Sequence, residues 1–167
     1  MSLIGLSEHH SLPDPLDVVE RLAAQSGWSF ERASEDEITL LVAGQWTDYQ
    51  LSFTWMEHIE ALHLACAFDL KVPERRRAEM IELVTRVNEQ LWVGHFDLWI
   101  NDGLVMYRHA LVLAGAADMS AKQCGALLGT ALEACERYYQ AFQFVLWAGK
   151  SAREAIEATM FETSGEA

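Results

Sequence analysis

Between Asp48 and Trp55 the side chains alternate without a break: Tyr49, Leu51, Phe53 and Trp55 are apolar, while Asp48, Gln50, Ser52 and Thr54 are polar. Successive side chains of a strand point to opposite faces, so this stretch buries one face and leaves the other to water or to a polar cover. A sheet built around such a strand is packed on one side only. The rest of the chain must then supply helices for that side.

The flanking segments fit that requirement. Residues 28–33, 37–43, 45–55 and 59–71 are rich in β-branched and aromatic residues and are separated by short polar breaks, the pattern of an antiparallel meander. In the fourth segment Leu62, Leu64, Cys66, Phe68 and Leu70 make the core face, and Ala61, His63, Ala65 and Ala67 the other. A first helix precedes the meander, with Asp14 as N-cap, Pro15 at N1 and an end near Gly27; Leu16, Val19, Leu22 and Ala23 form its apolar stripe. Residues 1–13 show no period and are read as a loose terminus, with 14–167 as a single domain; His9 and His10 there could take up metal adventitiously.

A second helix is expected over residues 73–92. Met80, Leu83, Val84, Val87 and Leu91 form its stripe, and Ile81 and Trp92 widen it beyond what packing on a sheet requires. Deeper burial within one subunit and a shared interface with a second both account for that width. Residues 95–100 and 104–113 form a hairpin around Asn101, Asp102 and Gly103. A two-residue Asp-Gly turn places Phe96, Leu98 and Ile100 beside His109, Tyr107 and Val105 on the core face, with Asp97 opposite Arg108 and Trp99 opposite Met106. A three-residue turn would oppose Asp97 to Tyr107. The last third is helical: Ser120 caps a helix running to about Trp147, and Ser151 with Glu154 spells a capping box for a shorter one. Gly125 and Gly129 are read as places of close packing on the sheet.

Charge narrows the function. The chain of 167 residues carries 25 acids against 12 bases, a net charge of -13, which argues against nucleic acid and anionic membranes, both of which are held by Lys and Arg. The run Arg75, Arg76 and Arg77 lies between Glu74 and Glu79 and reads as a solvated helix face with local ion pairs rather than an anion site. No segment has the pattern of a signal peptide or a membrane span, so a cytoplasmic protein is expected. Cys66, Cys124 and Cys135 lack CxxC spacing. If Cys124 and Cys135 share a helix they stand roughly 16 Å apart, too far for a disulfide.

The motifs of common enzymes are missing: no G-x-S-x-G elbow, no Gly-rich phosphate loop, no H-E-x-x-H. His58 and His63 with Glu60 fall on opposite faces of one strand, which does not make a metal site. His95, Asp97 and His109 are shared by a hairpin, but a core histidine and an Asp97–Arg108 cross-strand ion pair explain them without catalysis. No catalytic residue, metal or cofactor is expected. Of the six tryptophans, Trp28, Trp55 and Trp147 are read as core or core edge; Trp46, Trp92 and Trp99, with Ile81 and Val84 of the second helix, are the candidates for a partner-binding or dimer interface.

The most specific wording lies in the C-terminal third: YRHALVL from Tyr107, CERYYQAFQFVLWAGKSAREA from Cys135, and the closing ETSGEA. On these segments, and on the order of elements from about Asp14 to Ala167, the chain resembles the YbjN-like family, described as a bacterial sensory-transduction regulator, whose domain has the fold of type III secretion chaperones. Relatives tend to have proline in the position of Gln140, so the helix here is expected to run straighter. The resemblance implies an α+β fold, an antiparallel sheet of meander plus hairpin packed by N-terminal and C-terminal helices, with the middle helix in the outer position that mediates pairing, and hence a homodimer. It transfers no site residues.

Two functions follow as expectations. The first is a non-enzymatic chaperone-like or adaptor protein that binds a partner protein segment on its exposed sheet surface or in a groove. The second is a regulator that binds a small ligand in a pocket between sheet and C-terminal helix, lined by Tyr107, Tyr138, Phe142 and Trp147.

Overall fold

The computed structural model describes residues 14–115 and 118–164, so the reading of residues 1–13 lies outside it. Six strands form one antiparallel sheet in the order β1-β2-β3-β4-β6-β5: β1 Ser29–Ser34, β2 Glu37–Ala43, β3 Asp48–Met56, β4 Ala61–Lys71, β5 His95–Trp99 and β6 Leu104–Val112. The helices are α1 Pro15–Ser26, α2 Arg77–Asn88, α3 Ala121–Trp147 and α4 Ala152–Ser164. The α+β class and the meander-plus-hairpin sheet are as the sequence predicts.

Two adjacent rows across the sheet show how one-sided it is. Phe30, Leu40, Leu51, Cys66, Tyr107 and Phe96 lie side by side in register through all six strands, and all but the edge residue Phe30 are buried. One residue along, on the opposite face, run Glu31, Thr39, Ser52, Ala65, Arg108 and His95, none of them buried. All four helices contribute to the core that covers the first face. Burying a side chain such as Phe96 or Phe142 there stabilises the fold by about 1.5–3 kcal/mol each.

Local chemistry sets the helix ends. The Asp14 carboxylate accepts the Leu16 N–H at 2.9 Å, and Gly27 closes α1 in the left-handed region at φ 71°. Arg32 of β1 then pairs with Asp14, Asp17 and Glu20, fastening α1 over the sheet edge. The predicted capping box is present at Ser151 with Glu154, and the predicted cap Ser120 completes a second box with Gln123.

Five expectations are corrected. The middle helix is shorter than 73–92: a 3-10 turn at Glu74–Arg76 precedes it and it stops at Asn88, which leaves Trp92 beyond its end. Arg76 sets the start, donating from Nε and Nη2 to the Val145 carbonyl (3.0 and 2.8 Å) and from Nη2 to that of Lys150 (2.9 Å). It therefore caps the end of α3 rather than lying on a solvated face.

The β5–β6 hairpin has neither a two- nor a three-residue turn. Trp99 pairs with Leu104 and Phe96 with Tyr107, leaving a four-residue loop over 100–103, so Asp97 faces Met106 and the exposed Ile100 leaves the core face. A type I′ turn needs positive φ at both central residues, and here only Gly103 has it (φ 65°). The longer loop lets the Gly103 N–H reach the Trp99 carbonyl and the Gly103 carbonyl accept the Val72 N–H, both at 2.8 Å. Because the shift from the expected pairing is two residues, the facing of the strands is preserved.

Gly125 and Gly129 are not close-packing sites, since a Cβ at either would meet nothing within 4 Å. Trp147, expected at the core, is 66% exposed at the end of α3.

Candidate functional site: the uncovered sheet face and the free edge of β6

The uncovered face is shallow at its centre because its residues are small: Ser52, Thr54, Ala65, Ala67 and Ala110. Leu41, Trp99 and Val112 add exposed apolar surface on it. Towards the β5 side four polar side chains from three strands are joined. The Arg108 Nε–H donates to His63 Nε2 at 3.1 Å and its Nη1–H to Asp97 Oδ2 at 3.1 Å, while His95 Nε2 lies 3.2 Å from the same Asp97 oxygen. The expected Asp97–Arg108 ion pair thus forms, along a diagonal rather than directly across.

Beside this chain is an open depression of about 340 Å³ lined by His63, Gly94, His95, Arg108, His109 and Ala110. It exists because β5 begins at His95 while its neighbour β6 continues to Val112. Gly94, at φ 68°, turns the chain off the sheet here, and the Tyr107 hydroxyl donates to the Val93 carbonyl at 3.3 Å. A Cβ on Gly94 would collide with the Tyr107 ring and hydroxyl, so the turn needs glycine.

Burial and nearby charge favour the neutral imidazoles of His63 and His109. Burial, then the Arg108 charge and then His95 hold His63 below the usual histidine range, and burial followed by His95 does the same for His109. A neutral His63 can accept from Arg108, as observed. Among the described residues no group of three or more His, Cys, Asp or Glu is placed to hold a metal ion. The thiols face the covered side: burial raises Cys124 to about 11 and, with Cys66 beside it, lifts Cys135 well above the usual thiol range, so both stay protonated at neutral pH.

The sequence-derived interface candidates do not gather in one patch. Trp92 is 100% exposed in the loop after α2, and Trp99 is exposed on the open sheet face. Ile81 is 44% exposed on the outer side of α2, whereas Val84 packs partly against the core. Trp46 is occupied within the chain: its indole N–H donates to the Glu136 carbonyl at 3.2 Å, while the Glu136 carboxylate accepts the Gln45 N–H at 2.6 Å.

The proposed ligand pocket is filled. Phe96 stands among the rings of Tyr107, Tyr138 and Phe142 with centroids 5.4, 6.1 and 5.1 Å away, and Phe68 lies 5.6 Å from Phe142. Trp147 is exposed and outside that cluster. Aromatic spacing along α3 and β6 was a core signal, which is the commoner outcome for such rings.

Sequence reasoning missed the bond of His63 to Arg108. The two belong to β4 and β6, which pair across the intervening α2 and β5, and only that register brings them together.

The described residues thus form a six-stranded antiparallel sheet with its helices on one side. A family model described as "Putative bacterial sensory transduction regulator" matches residues 15–144, and the chain belongs to this YbjN family. Among solved structures it is similar to YbjN, "a putative transcription regulator from E. coli", with a TM-score of 0.51 and 10% identity over 88% of this chain and 93% of that one. It is also similar to the ExsC-ExsE complex, with a TM-score of 0.49 and 18% identity over 73% and 88%. No curated protein matches. No helix of the described residues is long and apolar enough to cross a membrane.

Proposed function

We propose that this protein is a non-catalytic adaptor that acts in regulation by binding a segment of a partner protein on its uncovered sheet face. The observation that carries the reading is the one-sided core: four helices cover one face, and the other presents small residues at its centre with exposed Leu41, Trp99 and Val112 around them. Such a face admits another backbone closely and offers apolar anchors for it. The family's description as a regulator supports the same reading. Photo-crosslinking tests it: a photoreactive residue in place of Ala67, on the open face, should trap a protein partner in cells, and one in place of Ala78, on the outer side of α2, should not trap the same protein. Equal trapping from both positions, or none from Ala67, would refute the assignment.

The same reading includes a homodimer formed through the outer side of α2. Its support is Ile81, an apolar side chain left 44% exposed on a helix whose inner residues Met80, Leu83 and Val87 are fully buried. Light scattering across a dilution series decides it. A dimer that Ile81→Asp splits while the fold is retained is the expected result, and a monomer at every concentration is the opposing one. Val84 is no clean probe, because it packs against the core.

A further inference from the structure

Resting on the adaptor reading, the register identifies where an extended partner segment can bond and what it must carry. In an antiparallel ladder the N–H and C=O of one residue point to the same side and those of the next to the other. The Leu113 N–H donates to the Glu60 carbonyl at 2.7 Å, so the backbone groups of Leu113, Leu111 and His109 face β4. Those of Ala110 and Val112 therefore face the side where β5 would be, and β5 has already ended at His95, paired with Arg108. No backbone partner reaches Ala110 or Val112 there among the described residues. Two donors and two acceptors stand open in the spacing of a strand.

The neighbouring edge of β5 is blunted at its middle. Asn88 fills the outward backbone groups of Phe96 on β5, accepting its N–H at 2.8 Å and donating to its carbonyl at 2.9 Å. The vacant stretch of β6 is also where the depression lies. A segment added beside β6 would place the side chain opposite Ala110 on the open face, next in line after His95 and across the small Ala110 from His63. Arg108 stands one pair away, with Nε and Nη1 engaged and Nη2 without a protein partner among the described residues. Exposed Val112 and Val93 offer apolar flanks.

We propose that residues 109–112 of β6 accept an extended segment of a partner protein as an added strand, and that this segment carries a carboxylate side chain opposite Ala110, held by Arg108. Charge selects a single carboxylate over a phosphate group. The chain as a whole has a net charge of -13 and Arg108 already shares Asp97, so a dianion would meet more repulsion than one arginine offsets. The rest of the segment is uncharged or basic, for the same reason.

The probe is a pair of acetylated, amidated peptides, Thr-Val-Glu-Val-Thr and Thr-Val-Gln-Val-Thr, titrated into the full-length ¹⁵N-labelled protein. The Glu peptide should shift and protect the amides of Ala110 and Val112 and bind about fivefold more tightly than the Gln peptide. Arg108→Gln should erase that preference. Ala110→Pro removes an N–H that β4 does not use and should abolish binding with the fold retained; Val112→Pro serves if that variant does not fold. Absence of binding to the wild-type protein, or binding that survives both proline variants, would overturn the proposal. Trapping of a partner from Ala67 would then still uphold the adaptor reading, whereas loss of both results would remove it too.

Discussion

Asn88, the last residue of α2, holds Phe96 by both backbone groups: Oδ1 accepts the Phe96 N–H at 2.8 Å and Nδ2 donates to the Phe96 carbonyl at 2.9 Å. A side chain here does what a seventh strand would do. Edge strands present unpaired groups that recruit other chains, and this one is blunted at its middle.

Asn88→Ala should therefore lower stability by about 1–3 kcal/mol, because two bonds are lost and two groups beside the buried Phe96 are left unmatched. It should also raise self-association through β5. Asn88→Asp should fall between, keeping the acceptor and losing the donor. Denaturant unfolding with parallel light scattering reads both effects; an alanine variant as stable and as dispersed as the parent would show that water replaces the amide.

Arg76→Ala should destabilise by about 2 kcal/mol, since one guanidinium donates to the Val145 and Lys150 carbonyls where α3 gives way to α4. Lysine cannot match the forked donor and should recover only part of the loss. Hydrogen exchange should locate the damage at the end of α3 rather than at α2.

Gly94→Ala should cost at least about 1–3 kcal/mol, from a positive φ and from collision with the Tyr107 ring and hydroxyl. Tyr107→Phe in the same chain removes the hydroxyl at the point of contact and should offset part of that cost. A double-mutant cycle measures the coupling; strict additivity would mean the two residues do not meet.

Acid should weaken the fold through His63. Burial, Arg108 of β6 and His95 of β5 all depress its affinity for protons in the folded state, so below about pH 6.5 the unfolded chain binds more protons and stability falls as the pH drops. The stability is fully present above that pH. His63→Gln keeps an acceptor for the Arg108 Nε–H and cannot titrate, so its melting temperature should decline less between pH 7 and pH 5 than that of the parent. Parallel declines in the two proteins would assign the acid effect to other groups.

Where the physics was local, the chain could be read directly. Asp14, Gly27, Ser120 and Ser151 mark helix ends by bonds made within a few residues, and the alternation of β3 declares its two faces. What depends on contacts between distant segments was not legible. The α2 start follows from Arg76 reaching Val145, and the hairpin loop from Gly103 meeting Val72. Trp147 misled because an apolar residue at the last position of a helix can point past the core, and the bond of Trp46 to Glu136 was not legible because the two lie on different elements. The open edge of β6 needed two facts at once: where β5 stops and which way Ala110 turns its backbone.

The one-sided sheet divides the labour of its own sequence. Along β3, Tyr49, Leu51 and Phe53 decide whether the chain folds, while Gln50, Ser52 and Thr54 between them carry almost none of that burden. Alternate codons of the same strand are thus under separate constraints. Mutation can rewrite what the outer surface meets, residue by residue, without touching the core that holds the shape, and a scaffold of this kind can change allegiance faster than it changes form.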